Sequence, residues 1–161
     1  MEIVKWLSAE GEVFRTICDW NAAWWGHKTS GREEVECFMS HSLCDNRLPQ
    51  TFVALESGVP VGMYQFLMSD DLAGRPDIYP WLANVYVDVS RRGEGIGRRL
   101  MESVRENAVK AGLTELYLYT HHVGLYEKFG WEFAEEVSTF DPDSPKERLY
   151  RLTITERNEE R

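Results

Sequence analysis

The stretch from Leu82 to Thr120 constrains the fold of this chain more than any other. Leu82 to Val89 is an apolar run that reads as a strand. Arg98 to Ala111 reads as an amphipathic helix, with Leu100, Val104, Ala108 and Ala111 on one stripe and Gly112 as its stop. Glu115 to Thr120 reads as the next strand. A strand–helix–strand unit of this length is a parallel crossover, and such crossovers are right-handed. The chain therefore builds a mixed sheet, which excludes all-helical and all-antiparallel architectures.

The flanking segments fill in the rest. Glu2 to Leu7 reads as a short edge strand. Glu12 to Trp25 reads as a helix, since Val13, Ile17, Trp20 and Trp24 recur at helical spacing, with Trp20 and Trp24 expected in the core. Glu33 to Leu43 reads as a second helix with Val35, Phe38 and Met39 on one face. Thr51 to Leu55 and Val61 to Leu67 flank Ser57-Gly58 as a hairpin. His122 to Phe129 reads as a short helix ended by Gly130, and Trp131 to Phe140 and Arg148 to Ile154 as two closing strands. The expected fold class is α/β (α+β), with helices packed on the sheet. With 161 residues, 43% of them hydrophobic, and no Pro/Gly-rich linker, one domain over residues 1–161 is expected.

Composition narrows the function. A formal charge of −9 argues against a nucleic-acid partner, because such binding rests on Lys and Arg meeting phosphates. No run approaches the ~18 apolar residues of a membrane helix, and Met1 to Trp6 lacks the apolar stretch of a signal peptide. No membrane association is expected, and the cytoplasm is the expected compartment. Cys18, Cys37 and Cys44 are an odd, sparse set, which fits free thiols in a reducing environment. Cys37, His41 and Cys44 fall at i, i+4 and i+7, a spacing that suits zinc, with His27 as a conceivable fourth ligand. Small-residue packing accounts for them more simply, and no metal is expected.

The chemistry concentrates in Arg92-Gly93-Glu94-Gly95-Ile96-Gly97. Three glycines between a strand and a helix let the backbone approach a ligand closely. The first N–H groups of the helix lack internal partners, and its dipole adds positive charge there. Such a turn cradles a pyrophosphate. Arg91, Arg92, Arg98 and Arg99 surround it in an otherwise acidic chain. A nucleotide-binding loop is the rival reading, but Gly97 leads into Arg98-Arg99 rather than Lys-Ser/Thr, and G-x-G-x-x-G is not matched.

Arg92-x-x-Gly95-x-Gly97, set between strand and helix, resembles the acyl-CoA motif of the GNAT superfamily of N-acetyltransferases. Leu125-Tyr126-Glu127-Lys128-Phe129-Gly130-Trp131 is similar to that family's Leu-Tyr-x-Lys-x-Gly-Phe segment, with Trp131 in the final place. The two stand in the family's order. The resemblance implies a GNAT fold with a mostly antiparallel sheet of about seven strands, helices on both faces and a central parallel strand–helix–strand unit. It implies acetyl transfer from acetyl-CoA, as co-substrate, to a primary amine by direct attack.

By the same resemblance, the backbone of Val85, Tyr86 and Val87 would pair with the pantetheine arm, and the Val87 N–H would polarise the thioester carbonyl. Arg92, Gly93, Glu94, Gly95, Ile96, Gly97 and Arg98 would hold the pyrophosphate, and Tyr126 would be general acid to the departing thiolate. The family's strand carboxylate has no counterpart in Leu116-Tyr117-Leu118-Tyr119-Thr120. Asp70, Asp71, His121 and His122 are candidates for base or amine recognition. Trp25 and the Asp77 to Trp81 segment are candidates for an aromatic wall that holds a cationic amine. The acceptor is a small-molecule or peptide amine, and a homodimer is a state the resemblance allows. The alternative is a non-catalytic acyl-CoA-binding or sensing module of the same fold.

Overall fold

The computed structural model describes residues 1–24, 31–70 and 72–155. The sequence-predicted sites Trp25, Asp71 and His27 lie outside the described residues, as does the charged tail from Glu156. Among the described residues, seven strands and three α-helices follow in the order β1 (Glu2–Lys5), α1 (Gly11–Trp24), α2 (Arg32–Ser40), β2 (Gln50–Glu56), β3 (Val59–Leu67), β4 (Trp81–Val87), α3 (Ile96–Lys110), β5 (Glu115–Thr120), β6 (Glu132–Val137) and β7 (Glu147–Thr153). Hydrogen bonding joins the strands as β1-β2-β3-β4-β5-β7-β6. The β4–β5 pair is parallel, and the β1–β2, β2–β3, β5–β7 and β6–β7 pairs are antiparallel. This is the expected mixed sheet with its central parallel unit.

The chain divides into two compact units, one of Met1–Leu67 with Ala83–Leu100, the other of Met68–Leu82 with the chain from Met101 onward. In the first unit, the β2–β3 turn works as expected. Ser57 and Gly58 both hold positive φ, 51° and 78°, the geometry that matches a two-residue turn to the twist of its strands. Phe14, Ile17, Cys18 and Trp20 from α1 and Val35 and Met39 from α2 bury against Val53, Leu55 and Met63 of the hairpin. Burial pushes the Cys18 thiol up to about 11, so it stays protonated. Gly62 of β3 is a point of close approach. A Cβ there would stand 2.9 Å from the carbonyl oxygen of Tyr86 and 3.0 Å from Leu100 Cδ1.

The second unit packs Trp81, Leu116, Leu118, Trp131, Leu149, Tyr150 and Leu152 into its interior. The Trp81 indole N–H donates to Ile78 O at 2.8 Å. Trp81 stands opposite Tyr117 in the parallel pairing, and Tyr117 N–H donates to Pro80 O at 2.9 Å. Arg105 of α3 donates to Thr153 O at 2.9 Å.

Four expectations need correction. The segment from His122 to Leu125 is not helical, because Gly124 turns left-handed with φ 79°. Only a 3-10 turn, Tyr126–Phe129, follows it. Helix α2 stops at Ser40, short of Leu43, as the Ser42 hydroxyl and N–H turn back to Phe38 O and Met39 O. Phe38 and Trp24 are exposed rather than core, at 46% and 53%. Strand β6 ends at Val137, and the chain beyond it makes a bridge of Thr139 with Leu72. Among the described residues, no helix is long and apolar enough to cross a membrane.

Candidate active site

The glycine turn lies in the first unit, between β4 and α3. It opens with a 3-10 turn, Val89–Arg91, capped by Asp88, whose Oδ1 accepts from the Ser90 N–H at 2.8 Å and from its hydroxyl at 2.7 Å. Those bonds hold the Asp88 carboxyl below its usual range, and Arg91 and Arg92 add to the effect. Gly93 and Gly95 then take φ of 84° and 80°, a region that side chains disfavour. A Cβ at either position would meet nothing within 4 Å, so the backbone there faces open space. The first helical bond of α3 runs from Arg99 N–H to Gly95 O at 3.2 Å. This leaves the N–H groups of Ile96 and Gly97 without an acceptor inside the helix. Ile96 itself is buried and anchors the turn, while Gly93, Glu94, Gly95 and Arg98 are exposed.

The arginines divide into distinct roles that the sequence does not separate. Arg91 is committed to carboxylates: it pairs with Glu94 at 2.7 Å and also with Glu56. The Glu94 carboxyl is correspondingly held below its usual range. Arg92 turns toward β4. Its Nε donates to Val87 O at 3.2 Å, and its guanidinium lies 5.4 Å from the Trp24 ring centre and 5.5 Å from that of Tyr86. The Tyr86 ring also lies tilted against Trp20, with ring centres 5.1 Å apart. Arg92 therefore braces the end of β4 against α1. Its part in anion binding was the sequence expectation; the bracing was not foreseen.

Val85, Tyr86 and Val87 form the half-buried end of β4, whose first three residues are buried. Gly97 sits beneath them, its ideal Cβ 3.6 Å from Val87 Cγ2. Just ahead of them Asn84 holds φ of 52°, a left-handed residue inside a strand. Sequence reasoning missed it, since the β-rich run continues without a break.

Tyr126 lies in the second unit and opens the 3-10 turn. The turn is closed by Gly130, with φ 85°, whose N–H reaches Glu127 O, and by Trp131 N–H to Tyr126 O at 3.3 Å. The Tyr126 ring is half-buried, 6.1 Å from Tyr150 and 6.4 Å from Trp131 between ring centres. Burial raises its phenol above the usual range, so it is protonated at neutral pH. Tyr150 holds the turn in place. Its hydroxyl donates to Glu127 Oε1 at 2.7 Å and accepts from Arg148 Nε at 2.9 Å. Glu127 and Arg148 have places in the sequence motif and the last expected strand, but the sequence does not show that they meet Tyr150.

His121 and His122 are exposed, with ring centres 4.3 Å apart. The His122 N–H donates to Thr120 Oγ1, and its carbonyl lies 3.4 Å from the Tyr150 hydroxyl, so the second unit gathers this segment beside the tyrosine turn. Asp70 is half-buried in the segment after β3, in the second unit, its carbonyl accepting from Leu72 N–H at 2.8 Å. Trp81 is core, whereas Tyr79 is exposed. Cys37 Sγ lies 3.8 Å from His41 Nδ1, but that nitrogen also lies 2.8 Å from Cys37 O, and Cys44 falls beyond the end of α2.

The profile of the Acetyltransferase (GNAT) family matches residues 13–131. The chain belongs to the GNAT acetyltransferase family. It is an acyltransferase of that family, and acetyl transfer is its general chemistry. Among curated proteins, none matches the sequence.

Solved structures share the fold of this GNAT acetyltransferase at low sequence identity. An aminoglycoside 6'-N-acetyltransferase complexed with coenzyme A is 16% identical, with a TM-score of 0.73 over 98% of this chain and 99% of that one. The aminoglycoside 6'-N-acetyltransferase of Enterococcus faecium is 18% identical, with a TM-score of 0.70 over the same shares. A GNAT family acetyltransferase of Elizabethkingia anophelis with acetyl-CoA bound is 15% identical, with a TM-score of 0.66 over 95% of this chain and 97% of that one.

Proposed function

We propose that this protein moves an acetyl group from acetyl-CoA to the primary amine of a small molecule by direct attack. The observation that carries the reading is the glycine turn: two left-handed glycines open to solvent, followed by helix N–H groups with no helical acceptor. That arrangement fits a pyrophosphate, with Gly93 to Arg98 supplying backbone donors. The half-buried backbone of Val85, Tyr86 and Val87 takes the pantetheine arm, and the Val87 N–H polarises the thioester carbonyl.

The chemistry follows from charge. An ammonium has no lone pair, so the amine first gives a proton to water or to a side chain; His121, His122 and Asp70 are the candidates. The neutral nitrogen attacks the carbonyl carbon, the C–N bond forms, and negative charge gathers on oxygen opposite the Val87 N–H. Collapse breaks the C–S bond, Tyr126 gives its proton to the sulfur, and the extra proton on the new amide nitrogen leaves to water, from which the phenolate is reprotonated. A phenol kept neutral by burial has that proton to give.

A cationic small-molecule acceptor fits the formal charge of −9 and the aminoglycoside acetyltransferases among the structural neighbours. Calorimetry with acetyl-CoA and thiol release over an amine panel test the reading. Wild type is expected to bind acetyl-CoA and to release thiol. Tyr126→Phe is expected to bind as well while kcat falls about a hundredfold, the low end of general-acid effects. No binding at millimolar cofactor, or full turnover by Tyr126→Phe, would refute it; binding without turnover on any amine would favour the sensing module.

A further inference from the structure

We propose that Asn84 is a positioning residue for acetyl-CoA, held by a buried relay of side-chain hydrogen bonds that begins at the end of α2. The inference rests on the proposed function and names what sets the backbone that would receive the cofactor.

The relay is read from its far end. The Thr51 hydroxyl donates to Ser42 O at 2.8 Å. A carbonyl only accepts, so the single Thr51 proton is spent there. Thr51 Oγ1 must then accept from Gln65, whose Nε2 lies 2.9 Å away. Gln65 is fully buried, and this fixes its amide: nitrogen toward Thr51, oxygen toward β4. At 2.6 Å from that oxygen stands Asn84 Nδ2, which must donate. The Ser42 hydroxyl donates to Phe38 O at 2.7 Å and ties the origin to the last turn of α2. One backbone carbonyl thus dictates the orientation of three side chains in succession.

Asn84 holds φ of 52° within β4. A left-handed residue in a strand re-aims the peptide groups that follow it. Those groups belong to Val85, Tyr86 and Val87. Left-handed geometry alone would be satisfied by glycine, asparagine or aspartate. The relay is more demanding: an ionised aspartate has no donor for Gln65 Oε1, and glycine has no side chain.

The experiment uses this difference. Asn84→Asp, Asn84→Gly, Thr51→Val and Thr51→Ser are compared with wild type by hydrogen exchange of residues 84–88 in the free protein and by acetyl-CoA calorimetry. Asn84→Asp, Asn84→Gly and Thr51→Val are expected to exchange about tenfold faster and to bind about tenfold more weakly, the factor that one net hydrogen bond is worth. Thr51→Ser keeps the hydroxyl and should match wild type in both. Thermal melts confirm that each variant is folded, and Thr51→Val probes the relay should Asn84 variants fail to fold. Wild-type exchange and affinity in Asn84→Asp and Asn84→Gly would overturn the relay while leaving the proposed function intact. Wild type that does not bind acetyl-CoA would sink the proposed function instead.

Discussion

Replacing Gly62 by alanine adds one methyl group, and its cost can be worked from the surroundings. Gly62 is not in the left-handed region, so the substitution brings no dihedral strain; its whole effect is steric. The new carbon would stand 2.9 Å from Tyr86 O, against an ordinary carbon–oxygen approach of roughly 3.3 Å. It would also stand 3.0 Å from Leu100 Cδ1 and 3.3 Å from Ile96 Cγ2, where carbon pairs prefer about 3.5–4.0 Å. A backbone oxygen has no rotamer with which to move aside, and Leu100 is fully buried. Overpacking of this kind costs about 1–3 kcal/mol. For a chain of this size that lowers Tm by about 3–10 °C. Two of the three atoms that must yield, Tyr86 O and Ile96 Cγ2, belong to the segments proposed to receive acetyl-CoA. Gly62→Ala is therefore expected to weaken acetyl-CoA binding about tenfold as well as to lower Tm, the factor that ~1.4 kcal/mol brings. Thermal melts and calorimetry read both. A variant that melts within a degree of wild type and binds equally would show that the close approach has slack and constrains nothing.

Other perturbations separate the remaining roles. Gly95→Ala meets no atom but must hold φ of 80°, so it should cost about 1–2 kcal/mol in a denaturant melt and raise KM for acetyl-CoA more than it lowers kcat. Tyr126 has a raised phenol, so as general acid it remains protonated until the pH exceeds the ordinary value near 10; a kcat profile should show no basic limb from it below that pH. Tyr150→Phe removes the hydroxyl that holds the Glu127 carboxyl low, so a carboxyl titration by NMR should find Glu127 nearer 4.5. A lowered carboxyl stabilises the fold above its unfolded value and loses that contribution as pH falls through the folded one. Wild type should accordingly lose more stability than Tyr150→Phe on acidification below about pH 4.5.

Where a contact is local, the sequence is readable. Ser57-Gly58 marks the hairpin because both residues tolerate the turn, and the Leu100, Val104, Ala108 stripe marks α3 because helical spacing decides which side chains are buried. Strand β5 was bounded at Glu115 and Thr120 by the polar residues on either side. The glycine turn was legible for the same reason. What escaped depends on partners distant in sequence. Thr51 and Gln65 fall in expected strands and Ser42 in the expected second helix, and only their meeting behind Asn84 gives them a purpose. Arg92 read as one more cation beside an anion site, whereas Trp24 and Tyr86 draw it back toward β4. The short helix before Gly130 failed at Gly124, whose left-handed φ carried no more signal than any other glycine.

These departures share a cause. A backbone that must lend its N–H groups to a ligand has to hold them outside regular pairing, and unpaired backbone needs support from elsewhere. Here each exposed stretch is backed by a polar anchor within its own unit. Asp88 caps the entry to the glycine turn, the Ser42–Thr51–Gln65–Asn84 relay backs the end of β4, and Tyr150 fixes Glu127 beneath Tyr126. Apolar packing alone would leave such segments free to slide into better pairing, because dispersion contacts do not fix direction. Hydrogen bonds do, and once buried they are costly to break. These polar anchors are thus the counterpart of the open glycines: they hold direction where the proposed function needs amides presented.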